Sequence, residues 1–171
     1  MRRRSHPLWR FSLDVYARNR VEKACLGLQT ACGADVNLLL FCCWTGTLRR
    51  PLNKRFLRRA MAAVSGWQRE VVQPLRRARH ALKKAGTGIP RTWRAHLREN
   101  VSSLELNAEY IEQLLLARLA KLAPQPVRNA NAEKTVAANL ERYLGLLGIP
   151  VGVASRCRLQ SLREACFSGR R

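Results

Sequence analysis

Apolar residues recur along this chain at helical spacing almost from end to end, with no strand-like alternation. Pro7 suits the first position of a helix, and Trp9, Leu13 and Tyr16 follow at i, i+4 and i+7. Arg18-Asn19-Arg20 breaks the pattern. A second helix carries Val21, Cys25, Leu28 and Cys32 on one face, and Gly33 is suited to end it in the left-handed region. Asp35 is placed to cap the next segment, Val36 to Trp44, which is apolar all round apart from Asn37. A helix of that kind belongs at the buried centre of a fold. Asn37 is read as a core amide with structural partners rather than a ligand contact.

Thr45-Gly46 marks the end of that helix, and Pro51 opens another to about Val64, with Leu52, Phe56, Ala60 and Val64 inward. Ser65 to Gln68 fits a capping box, ahead of the stripe Trp67, Val71, Leu75, Ala78 and Leu82. Pro74 within the stripe predicts a kink or a fresh start. The residues from Ala85 to Pro90 read as a helix–helix connection. From Thr92 to Leu122 the pattern predicts one long helix with two apolar flanks. The first is Val101, Leu104, Ala108, Ile111, Leu115, Leu119 and Leu122; the second is Leu106, Tyr110, Leu114 and Ala117. Two flanks imply a central spine or a dimer element. Pro124 and Pro126 follow it. A further helix bears Val136, Leu140, Tyr143, Leu144 and Leu147, and ends at Gly148-Ile149-Pro150. Ser155 caps a last one with Leu159, Leu162 and Cys166 inward.

The expected fold is all-α, a single-domain bundle of seven or eight helices with one long central helix. The domain spans residues 7–167. A basic, disordered N-terminus (1–6) and a basic C-terminal tail (168–171) flank it. At 171 residues and 47% hydrophobic content the chain has enough material for a core. The longest apolar run, Leu38 to Trp44, falls far short of the roughly 20 residues a membrane span needs. No signal-peptide core follows the Arg-rich start, so a soluble, cytoplasmic protein is expected. The six cysteines lack metal or redox spacing and read as buried free thiols of a reducing compartment.

Charge changes this picture. Lys and Arg number 32 against 11 Asp and Glu, for a net charge of +21. Between Arg49 and Arg98 stand fifteen basic residues and one acidic residue, Glu70. Arg outnumbers Lys by 26 to 6, as codon bias in a GC-rich gene would give, but codon bias does not explain the shortage of acids. A surface of this sign attracts polyanions such as nucleic acid or an anionic surface. Arg55, Arg58, Arg59, Arg76, Arg79 and Lys83 are the candidate contacts, spaced for phosphates and carrying no base specificity.

Other chemistry is sparse. Glu105, Glu109 and Glu112 share a helix face, but the accompanying Glu-x-x-His or second acidic helix of a dimetal site is missing. The stripe is read as pairing with arginines of the basic block. His80 lies among cations and reads as part of a solvated face. No P-loop, dinucleotide fingerprint or nucleophile–base motif is present. No catalytic residue, metal or cofactor is assigned.

Three blocks, Trp9 to Ala17, Gly33 to Trp44 and Trp67 to Arg76, resemble an uncharacterised proteobacterial family of small helical proteins, a domain of unknown function. The resemblance implies a helical fold and carries no activity. It also implies that the basic block is peculiar to this chain and that shared function lies near Trp9, Tyr16, Asp35, Asn37, Trp67 and Pro74. Three functional readings follow. The first is a non-enzymatic binding or adaptor protein with a polyanion-binding face. The second is a small enzyme or ligand-binding protein with a pocket built from Tyr16, Asp35, Asn37 and Trp44. The third is a protein-interaction module using the 92–122 helix.

Overall fold

In the computed structural model, which describes residues 6–84, 88–148 and 152–168, the centre is α3 (Val36–Thr47). Leu38, Leu39, Leu40, Phe41, Cys42 and Cys43 are all buried, because a helix apolar on every side has no face to turn to water. Asp35 starts it by accepting from the backbone N–H groups of Asn37 and Leu38 at 2.8 and 3.4 Å. Around α3 stand α1 (Pro7–Tyr16), α2 (Val21–Cys32), α6 (Arg91–Ala120) and α7 (Ala132–Leu146). Outside them, α4 (Lys54–Trp67) packs on α6 and α7, α5 (Gln73–Lys84) on α6, and α8 (Val153–Ala165) on α2 and α7. Eight α-helices are described, with no strand among the described residues. The all-α expectation with one long helix holds.

The closest packing is α3 against α7. Gly46 permits it, since a Cβ there would lie 2.6 Å from the Cα of Val136. Beside this contact Asn139 is fully buried. Its amide nitrogen donates to Arg50 O at 3.0 Å and lies 3.3 Å from both Cys42 O and Thr45 Oγ1. Its carbonyl accepts from Leu52 N at 2.8 Å. One asparagine thereby satisfies two backbone groups, Arg50 O and Leu52 N, of the irregular segment that joins α3 to α4.

That segment corrects one expectation. Pro51 does not open α4; the helix starts at Lys54, with Asn53 accepting from Phe56 N at 2.8 Å. The capping box at Ser65 is not used either, because no helix begins there: α4 runs through a π-helical turn, Gln68–Val72, directly into α5. Ser65 Oγ bonds back to Ala62 O instead. The π turn answers to Pro74. Proline has no N–H for the α-helical ladder, and its ring collides with the carbonyl four residues back. The widened turn just before it relieves both, with Gln73 N–H reaching Gln68 O, five residues back. Since α4, the π turn and α5 are continuous, the described residues form seven rods.

Further boundaries differ. Gly152, not Ser155, sits at the N-cap of α8, and Ser155 is buried inside it. His6 Nδ1 accepts from Leu8 N at 3.1 Å and caps α1. Ser168 is also engaged, its backbone N–H bonding Glu164 O and its carbonyl accepting from Arg18. The rest of both tails, and parts of the Ala85–Pro90 and Gly148–Pro150 connections, lie outside the described residues. Of the six cysteines, which are free thiols, five are buried and Cys157 is exposed.

The long helix departs most from its pattern. Leu104, Ile111 and Leu122 are exposed although they share the stripe of buried Ala108. Buried positions on α6 begin only at Glu105, and α5 has none. α6 packs on α5 more than on any other element, and with no buried position before Glu105 the outer part of this pair lies beyond the core.

Replacing Gly46 by Ala is expected to lower stability by about 1–3 kcal/mol, as overpacking of a tight core contact does. Gly145→Ala, at an exposed helical site with open space around it, should instead raise it by up to about 1 kcal/mol. Urea unfolding of the two variants checks both signs.

Candidate functional site

A chain of polar side chains crosses the core where α1, α3, α6 and the π turn meet. Ser12 Oγ donates to Gln113 Oε1 at 3.0 Å, and Gln113 Nε2 donates to Asn37 Oδ1 at 2.9 Å. Asn37 Nδ2 in turn donates to Glu112 Oε2 at 3.0 Å. Gln68 Nε2, at the start of the π turn, donates to Asp35 Oδ2 at 2.8 Å and lies 3.2 Å from Glu112 Oε2. Gln73 supports Gln68 at 3.4 Å, and the hydroxyl of buried Tyr143 accepts from Asp35 N at 2.8 Å. Ser12, Asn37, Glu112 and Gln113 are all buried.

Glu112 is the unusual member. Burial first, and then the adjacent Asp35 charge, push its carboxyl well above the ordinary carboxylate range. It is therefore held protonated at neutral pH. Its second oxygen, Oε1, is buried with no partner among the described residues.

Beside this network opens a cleft of about 580 Å³ between α1, α2, α3, α5 and α6. Trp9, Leu13, Leu26 and Leu40 give it an apolar wall, and Ser12, Asn37 and Gln113 expose the network to it. The opposite wall is ionic. Arg76 donates from Nε to Glu105 at 3.1 Å and from Nη2 to Glu109 at 2.7 Å. Arg79 Nε meets the other oxygen of Glu105 at 2.5 Å. Burial opposes ionisation of Glu105, but the hydrogen bonds and charges of Arg79 and Arg76 outweigh it and hold its carboxyl below the usual range. Glu109 is more deeply desolvated and is shifted the other way, despite Arg76. Tyr16, at the same wall, has its phenol pushed up to about 12, chiefly by burial. It presents an O–H donor across the neutral range.

Of the residues singled out from the sequence as a pocket, Tyr16 and Asn37 line this cleft. Asp35 stands behind Asn37, tied to Gln68. Trp44 is elsewhere, with its ring edge-on to His6 at 6.1 Å and tilted against Phe41 at 6.3 Å. Of the basic face, Arg55, Arg58, Arg59 and Lys83 are exposed, whereas Arg76 and Arg79 are engaged by carboxylates. Glu105 and Glu109 pair with arginines of the basic block, as read from the sequence; Glu112 does not, and faces Asn37 and Gln68. No group of three His, Cys, Asp or Glu among the described residues is placed to hold a metal.

Ser12 and Gln113 were not singled out, and Gln68 was read only as the end of a capping box. The signal for two of them is a polar residue at a buried phase: Ser12 stands in register with Leu8, Trp9 and Val15, and Gln113 between Ala108 and Leu116. A larger groove of about 800 Å³ lies between α2 and α8, but it is shallow and walled mostly by exposed side chains.

A family model described as a protein of unknown function (DUF2390) matches residues 7–116. No curated protein and no solved structure matches the chain.

Because Glu112 is neutral in the fold and ionises near 4.5 when unfolded, its burial opposes folding increasingly as pH rises above 4.5. Glu112→Gln keeps an acceptor for Asn37 and removes the titration. The variant should gain stability relative to the wild type between pH 5 and 8, by up to about 1.4 kcal/mol per pH unit. Urea midpoints of both proteins across that range check it; a difference that stays constant would place the proton elsewhere.

Proposed function

The chain belongs to the DUF2390 family of proteins of unknown function, and we propose that its role is to bind a small amphipathic molecule in the cleft between α1, α2, α3, α5 and α6. The observation that carries this reading is one of position. Every side chain that lines the cleft, from Trp9 to Gln113, falls inside the matched span 7–116. α7 and α8, which complete the core, lie outside it. The matched span holds the whole cleft, which supports a role for it across the family, and it holds α4 with its exposed arginines as well.

The lining suggests the ligand's chemistry. An apolar body fits against Trp9, Leu13 and Leu40. A polar head meets Tyr16 O–H, the Asn37–Gln113 amides and the Arg76–Arg79 wall, with Lys83 at its edge. Sites of this size, mostly apolar with a few convergent polar groups, are where small molecules bind. The two arginines favour an anionic head, once a ligand competes with Glu105 or Glu109 for them.

Arg55, Arg58 and Arg59 keep a second reading open. They stand exposed on α4, on the side away from buried Phe56, Leu57, Ala60 and Val64. A weak, salt-sensitive polyanion contact there needs no change in the fold.

Anilinonaphthalene sulfonate, an apolar body with one anionic group, is a suitable probe. Saturable binding with enhanced fluorescence is expected, and Leu13→Trp, which fills the cleft from a half-exposed position, should abolish it. Binding that survives this change counts against the cleft. For α4, replacing Arg55, Arg58 and Arg59 by Gln should weaken heparin binding and reduce its salt slope by about 0.9 for each anionic group no longer neutralised. An unchanged slope removes that reading.

A further inference from the structure

α6 turns one row of charges toward α5. Arg91, Arg94, Arg98, Glu105 and Glu109 fall within about 60° of arc at 3.6 residues per turn. At the inner end of the row the two helices are complementary, with Arg76 and Arg79 of α5 meeting Glu105 and Glu109 of α6. At the outer end they are not. There Lys83 of α5 and Arg91, Arg94 and Arg98 of α6 bound one recess of about 270 Å³. A second recess, of about 620 Å³, adjoins it and shares Lys83, Ala95 and Arg98. None of the four cations has an ion pair among the described residues. Arg94 Nε is buried with no hydrogen-bond partner among them. Residues 76–98 contain no Asp or Glu at all. Glu99, the one acid at the larger recess, lies about 100° round α6 from Arg98.

Like charges facing each other across a helix pair repel, and the repulsion is relieved by an anion between them. The counter-charge that the inner end finds in Glu105 and Glu109 is missing from the outer end. We propose that the di- or triphosphate group of a small molecule supplies it, bound in the two joined recesses. Arg94 and Arg98 hold its oxygens from α6, Lys83 holds them from α5, and Arg91 stands at the outer edge. Guanidinium forks match phosphate oxygens two at a time, and a lysine beside them adds a point charge. Ala95 borders both recesses and leaves room between the cations.

Charge and enclosure choose this ligand over others. A single carboxylate would leave most of the four cations unmatched. A nucleic-acid strand neutralises cations strung along an open surface, as Arg55, Arg58 and Arg59 are on α4. Here the cations converge from two helices on one recess, and those of α6 rise over only about 10 Å from Arg91 to Arg98. Several charges on adjoining phosphates answer that arrangement. The site does not rest on the cleft reading. Arg79 and Lys83 border both, but Arg91, Arg94 and Arg98 line the recesses and not the cleft.

The test is titration calorimetry of the full chain with inorganic pyrophosphate and tripolyphosphate at constant ionic strength. One saturable site per chain is expected. Arg94→Gln/Arg98→Gln should weaken it at least about tenfold, as the loss of a single hydrogen bond to a charged group already does. Arg91→Gln/Arg98→Gln, at two exposed positions, carries the same expectation. Lys134→Gln/Arg142→Gln removes as much charge from exposed positions on α7 and should leave the affinity nearly unchanged. Melting separates binding from a structural role. Without ligand, Arg91→Gln/Arg98→Gln should melt no lower than the wild type, because facing cations have been removed. It should also lose the rise in melting temperature that pyrophosphate gives the wild type. Four results overturn the proposal: no saturable binding of either probe, an equal loss in the α7 variant, an unliganded Arg91/Arg98 variant that melts lower, or a single-stranded oligonucleotide that binds through Arg94 and Arg98 more tightly than tripolyphosphate. The last would assign the row to nucleic acid.

Discussion

Both ends of the Asn37 side chain are committed, one to Glu112 and the other to Gln113, and the packing of α1, α6 and the π turn around α3 depends on that pairing. α3 is otherwise a featureless apolar rod, and apolar contacts alone leave the angle and register of its neighbours loosely defined. A buried amide is less tolerant. Its donors and acceptors must be met at about 3 Å or a desolvation cost of about 1–3 kcal/mol is left standing. Ser12 then fixes α1 through Gln113, and Gln68 fixes the end of α4 through Glu112 and Asp35. The other side of α3 has its own version, in which Asn139 holds the Arg50–Leu52 segment and Gly46 lets α7 come close.

The cleft is a consequence of this arrangement. Polar groups needed inside the core surface at its edge, where Asn37, Gln113 and Ser12 meet the void between α1 and α6. The ionic wall opposite has a structural duty as well. Arg76 and Arg79 fasten α5 to α6 through Glu105 and Glu109, which is why α5 stays in place with no buried side chain of its own. A ligand that draws an arginine away would loosen the helix pair whose outer end carries the facing cations. Cleft and cationic recesses thus share α5 and α6, although each rests on separate observations.

Much of the architecture was legible in the chain. The caps at Asp35 and Gly33, the break at Arg18–Arg20 and the all-round apolar α3 are local properties, decided by side chains within a few residues of the event. Pro51, Ser65 and Ser155 carry real helix-start signals that were overruled. For Pro51 and Ser155 the cause is distant, Asn139 holding Leu52 and the packing of α8 on α2; for Ser65 it is the unbroken run of α4 into the π turn ahead of Pro74. In the long helix the stripe through Leu104 and Ile111 has correct periodicity, and its burial failed because no described element covers that face.

For the site, Asn37 and Tyr16 were legible as polar or amphipathic residues at buried phases, and Glu105 with Glu109 as a stripe facing arginines. Trp44 was drawn in by its nearness in sequence to Asn37, although its place in α3 turns it toward His6. By itself the sequence determined the helices, their buried faces and the sign of the surface, because helical period and formal charge are properties of neighbouring residues. Only the tertiary structure decided which polar residues join into a network, where the cleft opens and which apolar stripe is left uncovered. Those depend on contacts such as Ser12 with Gln113 or Asn37 with Glu112, between residues far apart in the chain that no local pattern brings together.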